Sequence, residues 1–328
     1  MVCCVWGRCG RTSNKLLGCV ERSVDILLRI TGPLYVVLAT ALILTVAFVF
    51  YTIIFPLRYS IYTLEGAFHA TTAFLVIFNV FFNYFYCVFT NPGQPPAVLR
   101  PENHVDAEIA ERYTRWCKRC RKPKPVFAHH CHVCDRCVTR MDHHCPWMAN
   151  CVGHYNYRYF FNFMFWLWSG CMYSTWMSQP SKFDDLPRNG SSKTGIVFMF
   201  VLSLAIFIAL SCLWGWHVYL VVTGQTTIEF YNNKREKSKI CKKGERWINK
   251  FNLGAKYNWQ EVFDERGRYW WISWALPRRR PHSMTGVFWP TVYNLENHLE
   301  RVQRGCKLDR QQSDKTKQDE TSTAKEIV

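Results

Sequence analysis

The chain has 328 residues, 49% of them hydrophobic, and a formal net charge of +17. Mean hydropathy is nonetheless near neutral, at -0.13, so the apolar residues must be gathered into blocks rather than spread through one soluble core. The 16 cysteines cluster at Cys-x2-Cys spacings, and the N-terminus does not resemble a signal peptide. We therefore expect metal binding in a reducing compartment and exclude a disulfide-stapled secreted protein.

Four apolar segments are long enough to cross a bilayer, which takes about 20 residues. We predict spans at 33–55, 66–89, 159–177 and 195–222, the first without a charged residue and the third dominated by aromatic side chains. A buried core helix is the alternative for each segment, but length and lack of charge favour membrane spans. The predicted fold class is an all-α integral membrane protein with four transmembrane helices and an irregular two-zinc domain between the second and third.

Lysine and arginine are distributed unevenly among the segments between these spans. They are frequent in the N-terminal segment 1–32, the central segment 90–158 and the C-terminal region 223–307, whereas the two short loops are nearly neutral. Because cytosolic segments carry the Lys/Arg excess, we predict that both termini and the central segment are cytosolic. Asn189, in the one N-glycosylation sequon, then falls in a lumenal loop. The polar tail 308–328 is predicted to be disordered and available to bind partner proteins.

The central segment holds a dense group of metal-ligating residues. Seven cysteines and five histidines lie between Cys117 and Cys151, with His154 just beyond. Cys-x2-Cys pairs place two ligands on one zinc ion, and structural zinc sites are tetrahedral, so two ions need eight ligands. A domain this small has little hydrophobic core, and metal binding would supply much of its folding free energy. We predict two structural Zn²⁺ ions, although spacing alone does not assign each ligand to a metal.

More candidate ligands are present than two zinc ions can use. A spare cysteine beside the Asp142-His143 pair is what thiol chemistry requires, so the surplus points to an enzyme rather than only to a fold. A nucleic-acid-binding zinc module is the alternative for a basic segment. The flanking spans, however, tether this segment against the membrane, where its basic residues would meet anionic lipid headgroups. We therefore predict membrane lipids, and no nucleic acid, as partners.

An ordered series of motifs extends beyond the Cys/His cluster. The residues are Cys117-x2-Cys120, His129-His130-Cys131-x2-Cys134-x2-Cys137, Asp142-His143-His144-Cys145-x5-Cys151, Asn156, Thr226-Thr227-x-Glu229, and Asn249 with the aromatic and asparagine residues up to Phe263. This series resembles the DHHC protein S-acyltransferases (palmitoyltransferases), and the resemblance covers roughly residues 33–263. The predicted four-span topology is also that of the family.

The resemblance implies a role for each matched residue. It implies two zinc sites, one of Cys117, Cys120, His130 and Cys137 and the other of Cys131, Cys134, His144 and Cys151. Cys145 is then the one unligated cysteine of the group. Thr226, Thr227, Glu229 and Asn249 are implied to support the active site without taking part in the chemistry.

The implied reaction moves a long-chain acyl group, which we expect to be palmitoyl, from acyl-CoA to protein cysteines. A free thiol has a pKa of about 8.5 and is mostly protonated at neutral pH, so it needs an adjacent base oriented by a third group. Cys145 is the expected nucleophile, His143 the base and Asp142 the orienting carboxylate. The acyl group would then pass to membrane-proximal cysteines of substrate proteins at the cytosolic face of the ER or Golgi.

Aromatic residues of the third span are candidates for the wall of an acyl-chain cavity, although ordinary packing is the alternative for each. They are Phe160, Phe161, Phe163, Phe165, Trp166 and Trp168. The small residues Ser169 and Gly170 either open room for the end of the chain or let helices approach closely.

Two positions depart from the family pattern, and two rival functions remain open. Phe127 stands where many members have arginine, and Asp264 where glycine is common. A catalytically silent zinc-bearing membrane adaptor is the main rival, but it would not need a thiol beside an Asp-His pair. A transporter or channel is disfavoured because the spans lack acidic and basic residues other than histidine.

Overall fold

The computed structural model describes residues 11–95, 115–183, 190–279 and 289–291. The chain divides into two compact units, one of residues 1–218 with Ala275–Pro277, and one of Tyr219–Trp274 with residues 278–328. The sequon at Asn189 and the tail 308–328, predicted to be disordered, lie outside the described residues.

Long helices dominate the described chain. Their bounds are α1 (Arg11–Val49), which continues through a π-helical turn (Phe50–Ile54) into α2 (Phe55–Arg58), then α3 (Leu64–Phe89), α4 (Tyr157–Met177) and α5 (Gly190–Val222). The first helix thus begins well before the predicted boundary at residue 33, and Pro33 lies inside it. The start of the apolar run is therefore not the start of the helix.

Three helices of the described chain are long and apolar enough to cross a membrane: Val20–Arg58, Leu64–Phe89 and Lys193–Val222. Large apolar side chains lie exposed along them, for example Leu34 at 66% and Phe74 at 62%, as expected for surfaces that face lipid. Helix α4 does not meet the same criterion, because Arg158, Asn162 and many tyrosines and tryptophans lower its hydropathy. The third predicted span, 159–177, therefore stays a prediction.

The Cys/His segment is regular, not irregular as predicted from the sequence. It forms three two-stranded antiparallel hairpins, β1 (Arg115–Cys117) with β2 (Lys122–Lys124), β3 (His129–Cys131) with β4 (Arg136–Val138), and β5 (His143–Cys145) with β6 (Asn150–Val152). The residue that ends each turn is left-handed, with φ of 51° at Arg121, 50° at Asp135 and 46° at Ala149. Three-residue strands made largely of cysteine, histidine and basic residues give no hydrophobic alternation, so the pattern used to recognise strands is missing here.

The third hairpin packs against the end of α3 and the start of α4. A buried cluster joins these elements through Tyr84, Cys87, Cys145, Met148, Val152, Tyr159, Phe160 and Met164. The Cys145 side of the hairpin therefore faces the apolar interior of the helical bundle.

Two buried asparagines join this hairpin to the last turn of α3. The final carbonyls of a helix have no partner within the helix and need other donors. Asn150 Nδ2 donates to the carbonyls of Cys87, Val88 and Thr90 at 3.3, 3.1 and 2.9 Å. Asn156 Nδ2 also donates to the Cys87 carbonyl, at 3.2 Å. The end of α3 is thus capped by the Cys/His segment, which fixes the position of the third hairpin.

Gly170 lies where α4 approaches α3. A Cβ atom added at Gly170 would lie 3.1 Å from Val76 Cγ1. Of the two roles that the sequence left open for this glycine, the structure shows close helix approach. Ser169 Oγ donates to the Phe165 carbonyl within α4, at 2.9 Å, which satisfies its hydroxyl inside the helix.

Replacing Asn150 by alanine should destabilise the protein by about 1–3 kcal/mol, since it leaves buried carbonyls without a donor. Thermal unfolding of the purified protein in detergent would measure the change. Lys122 provides a matched control, because it occupies the equivalent position in the first hairpin and is exposed. Lys122→Ala should change stability by less than about 0.5 kcal/mol. Equal effects of the two variants would contradict the capping role.

Candidate active site and metal centres

The ligand sets follow from the order of the hairpins. Position for position, the hairpins recur every 14 residues, with Cys117, Cys131 and Cys145 in equivalent places. Each of the first two hairpins supplies a Cys-x2-Cys pair from the end of its first strand and the turn that follows. The next hairpin supplies a histidine and a cysteine that face each other across its two strands. His130 faces Cys137 in the second hairpin, and the same register recurs in the third. Each metal set is therefore shared between two consecutive hairpins.

Two groups of four side chains have their ligand atoms within 4.8 Å of one another, so that each group could hold one metal ion. They are Cys117, Cys120, His130 and Cys137, and Cys131, Cys134, His144 and Cys151. These are the two sets that the family resemblance implied. The arrangement of the two groups accounts for all eight predicted ligands.

The spacing within the groups suits tetrahedral zinc. Zn–S bonds of about 2.3 Å and Zn–N bonds of about 2.0 Å place neighbouring ligand atoms roughly 3.5–3.8 Å apart. His130 Nδ1 lies 3.6 Å from Cys117 Sγ and 3.2 Å from Cys120 Sγ. In the second group, His144 Nδ1 lies 3.7, 3.3 and 3.6 Å from the sulfurs of Cys131, Cys134 and Cys151. The donor atoms, three thiols and one imidazole nitrogen in each group, are those that zinc prefers.

The third hairpin explains why one cysteine is left over. It keeps Cys145 at the first position of the Cys-x2-Cys pair but has Met148 where the second cysteine would stand. Met148 is 1% exposed and packs in the buried cluster beside Cys145. Cys145 therefore lies outside both metal groups, with its side chain directed into an apolar environment.

Asp142 and His143 form a hydrogen-bonded pair next to this free cysteine. His143 Nδ1 donates to Asp142 Oδ2 at 2.7 Å, and the Asp142 side chain is fully buried. The backbone N–H of Asp142 donates to the Val152 carbonyl at 2.9 Å, which ties the carboxylate to the facing strand. His143 itself remains 28% exposed. The pair is thus fixed on its carboxylate side and open on its imidazole side.

The electrostatics of His143 favour its protonated form. Burial by itself lowers the pKa of the imidazole, but hydrogen bonds with Asp142 and Cys145, and the charges of both groups, outweigh it and raise the pKa to about 10. The ring therefore interacts with the carboxylate and the thiol at once. A thiol, an imidazole and a buried carboxylate in contact form the arrangement that activates a cysteine nucleophile.

The aromatic residues predicted to line a cavity divide between two locations. Phe160 and Phe163 lie near the cysteine, Phe160 against the His143 ring at 5.1 Å between centroids and Phe163 against Tyr84 at 5.0 Å. Phe161, Phe165 and Trp168 instead pack on Trp214 of α5, at 5.4 to 5.7 Å, and Trp166 Nε1 donates to the Ala275 carbonyl at 3.0 Å.

The residues predicted to support the site lie at and beyond the end of α5, in the second unit. Thr226 and Glu229 form a capping box at the start of α6 (Thr227–Cys241), with Thr226 N donating to Glu229 Oε2 at 3.0 Å and Glu229 N donating to Thr226 Oγ1 at 3.2 Å. Thr227 is buried, at 7% exposure. Asn249 Nδ2 donates to the Thr223 carbonyl at 3.3 Å. These residues order the chain after α5, and their role in supporting catalysis stays a prediction.

Asp264 departs from the family pattern in a way that the backbone explains. It ends α7 (Ala255–Phe263) with φ of 55°, a left-handed conformation that favours glycine. Aspartate is among the few other residues that adopt it readily. The second unit also contains the short helix α8 (Trp270–Ser273).

Sequence reasoning missed two residues that shape the site. Asn150 was not distinguished from other polar residues of the segment, although the 14-residue recurrence sets it apart from Lys122 and Arg136 at equivalent positions. Tyr84 is fully buried, and its hydroxyl donates to the Trp147 carbonyl at 2.8 Å, just after Cys145. No pattern separates Tyr84 from the many aromatics of α3, so only the structure identifies it.

Comparison with known proteins agrees with this site. The family model of the DHHC palmitoyltransferases matches residues 110–234. Palmitoyltransferase ZDHHC16 of Mus musculus is 32% identical, over 81% of this chain and 76% of its own length. Probable protein S-acyltransferase 16 of Arabidopsis thaliana is 33% identical, over 78% of this chain and 92% of its own. Palmitoyltransferase ZDHHC16A of Danio rerio is 28% identical, over 88% of this chain and 85% of its own length. The chain therefore belongs to the DHHC palmitoyltransferase family of protein S-acyltransferases.

Proposed function

We propose that this membrane protein transfers a long-chain acyl group, palmitoyl above all, from acyl-CoA to its own Cys145 and then to cysteine thiols of substrate proteins. The observation that carries the proposal is the contact of Cys145 with His143, whose ring also donates to the buried carboxylate of Asp142. A thiol excluded from both metal groups and paired with an oriented base is suited to nucleophilic acyl transfer.

In the first step, the thiol proton of Cys145 lies on the His143 ring, and the sulfur attacks the thioester carbonyl of acyl-CoA. The bond from the carbonyl carbon to the CoA sulfur breaks, and His143 returns the proton to the leaving CoA thiolate. Asp142 holds the imidazole in the tautomer and orientation that this exchange needs. One thioester replaces another, so the chemistry requires positioning and thiol activation rather than an energy source.

In the second step, His143 takes the thiol proton of a substrate cysteine, and the substrate sulfur attacks the carbonyl of the acyl-Cys145 thioester. The bond from the carbonyl carbon to the Cys145 sulfur breaks, and His143 returns the proton to Cys145. Substrate cysteines must reach the site near the ends of the helices, so we expect them close to the membrane. The His143 ring is 28% exposed, which leaves a path for the acceptor thiol.

The surroundings of Cys145 suit a long apolar chain. The cysteine is 7% exposed and lies in a cluster with Tyr84, Phe160 and Met164 from α3 and α4. These helices lead from the site into the bundle, so an acyl chain attached at Cys145 would extend along apolar side chains.

The hairpins beside the site carry positive charge that suits the phosphates of CoA. Burial, followed by the charges of Lys124 and Arg115, lowers the pKa of His129 to about 4. The basic side chains of Arg115 and Lys124 on the first hairpin favour an anionic head group.

Zinc would hold this arrangement rather than take part in the reaction. The set of Cys117, Cys120, His130 and Cys137 would hold one ion, and the set of Cys131, Cys134, His144 and Cys151 the other. A four-ligand site keeps no open position for substrate. His144 lies between His143 and Cys145 in the chain, so a metal on His144 would fix the strand that carries both.

The topology we propose has four spans, with both termini and the hairpins in the cytosol of an ER or Golgi protein. It rests on three apolar helices, on the Lys/Arg distribution, and on the packing of α4 along α3 over their length, from Tyr86–Tyr159 at one end to His69–Tyr173 at the other. A silent adaptor is not favoured, because it would not require the Asp142–His143–Cys145 contact.

Replacing Cys145 by serine should abolish labelling of the protein by a palmitoyl-CoA analogue. The wild type should carry a hydroxylamine-sensitive label, as expected for a thioester, and both proteins should hold about two zinc ions per chain. Cys212→Ser is the matched control, since Cys212 is exposed on α5 and outside both metal groups, and it should label normally. Absence of label on a zinc-loaded wild type would refute the mechanism and favour the catalytically silent adaptor.

Replacing Asp142 by asparagine should slow formation of the acyl-enzyme by about 10²–10⁴-fold, since His143 then loses its orienting carboxylate. Single-turnover labelling would give the rate. Glu236 offers a control, because its carboxylate is exposed on α6 and lies outside both metal groups. Glu236→Gln should change the rate by less than about threefold. Similar losses of rate in both variants would show that the Asp142 carboxylate has no specific role in orienting His143.

Replacing Cys134 by serine should reduce the zinc content from about two ions per chain to about one, because a ligand is lost from a single set. Elemental analysis would measure the metal, and acyl-enzyme labelling the activity, which should fall because His144 loses its fixed position. Cys241→Ser, at an exposed cysteine on α6, should keep both ions and the label. Unchanged zinc in Cys134→Ser would refute the ligand assignment.

A further inference from the structure

Behind the His143 ring stands a group of aromatic side chains from α4 and α5. Phe160 meets His143 edge-on, with 5.1 Å between ring centroids and an interplanar angle of 69°. Phe160 also meets His217 of α5, at 5.2 Å between centroids and an interplanar angle of 73°. The centroids of the two histidines are 6.1 Å apart. The three rings thus form one continuous packed group.

His217 is held firmly in this group. Its side chain is 3% exposed, and a hydrogen bond of 3.0 Å joins its Nδ1 to the hydroxyl of Tyr157. Tyr157 and Phe160 are three residues apart at the start of α4, so they lie on the same face of that helix. Helix α4 therefore supplies both the hydroxyl that anchors His217 and the ring that His217 supports.

The hydrogen bond to Asp142 does not by itself fix the His143 ring. Rotation about the last torsion of a histidine side chain has broad, weakly separated minima, and one hydrogen bond leaves the ring plane free to tilt. The ring must nevertheless keep one nitrogen on the carboxylate and present the other to the thiol. The edge contact with Phe160 restricts that tilt, and His217 keeps Phe160 in place.

We propose that His217 is a positioning residue for acyl transfer: anchored by Tyr157, it holds Phe160 against His143 and so keeps the base aligned with Cys145. The proposal rests on the function proposed above. His217 contacts the rings of both Phe160 and His143, and in this proposal it acts through ring packing and does not carry the proton. A small misplacement of a catalytic group can cost about 10²-fold in rate, so a residue outside the reacting set can still control turnover.

The test uses the full chain in lipid nanodiscs and a labelled palmitoyl-CoA analogue in single turnover. His217→Ala should slow formation of the acyl-enzyme by about 10–100-fold. The half-saturating concentration of the analogue should stay within about threefold of wild type, and zinc should stay at about two ions per chain. A purely structural role would lower zinc content or raise the half-saturating concentration instead.

A paired substitution separates packing from nitrogen chemistry. Tyr157→Phe combined with His217→Phe keeps both rings and removes both polar groups, and replacing two hydrogen-bonded partners by apolar groups of similar shape is nearly neutral. This variant should label within about threefold of the wild-type rate. A double variant as slow as His217→Ala would overturn the proposal, because the imidazole nitrogens would then be required.

The remaining outcomes are also decisive. A wild type that forms no label refutes the proposed function itself. Equal rates for wild type and His217→Ala overturn only the positioning role, as does a raised half-saturating concentration with an unchanged rate, which would assign His217 to the acyl-chain site. Should His217→Ala fail to hold zinc, Phe160→Leu replaces it in the same assay. A wild-type rate for Phe160→Leu, in a zinc-loaded protein, would overturn the proposal.

Discussion

The arrangement of the active site depends on the sharing of each ligand set between two successive hairpins. A lone three-residue hairpin buries almost nothing and would not be stable. When its turn supplies two cysteines and the next hairpin supplies a histidine and a cysteine, neither hairpin can move without breaking the set. Metal binding can then provide the folding free energy that so small a segment cannot draw from a core.

This sharing also explains how a cysteine is left outside the ligand sets of the hairpin repeat. Three hairpins have two junctions, and two junctions make two sets. Cys145 occupies the first position of the Cys-x2-Cys pair in the last hairpin, and no further hairpin follows to supply a histidine and a cysteine. Met148 stands where the second cysteine of that pair would be. The Cys145 thiol therefore belongs to neither set, and it lies on the same strand as His144, which belongs to the second set.

The membrane helices complete what the hairpins begin. The end of α3 leaves carbonyl groups that need donors, and Asn150 and Asn156 from the hairpin segment supply them. Since both asparagines are buried, moving the hairpin away would leave polar groups unpaired on both sides. The same contact turns Cys145 toward apolar side chains of α3 and α4, next to the Asp142–His143 pair. The apolar environment of Cys145 and its closeness to the Asp142–His143 pair thus result from a single docking geometry.

The sequence by itself determined the apolar segments, the cluster of candidate Cys/His ligands and the Asp142-His143-Cys145 run, because composition, length and spacing are local properties of a chain. It also led to the family, through motifs that keep a fixed order. It did not reveal the hairpins, because strands of three residues leave no periodic signal. Nor did it show that the first helix begins at Arg11, because an apolar run does not mark where helical hydrogen bonding begins. Only the tertiary structure decided that Gly170 serves helix packing, that Asn150 and Tyr84 belong to the site, and that Phe160 and His217 stand behind His143. Each of these depends on which residues from distant segments meet, and that is set by packing, not by any pattern along the chain.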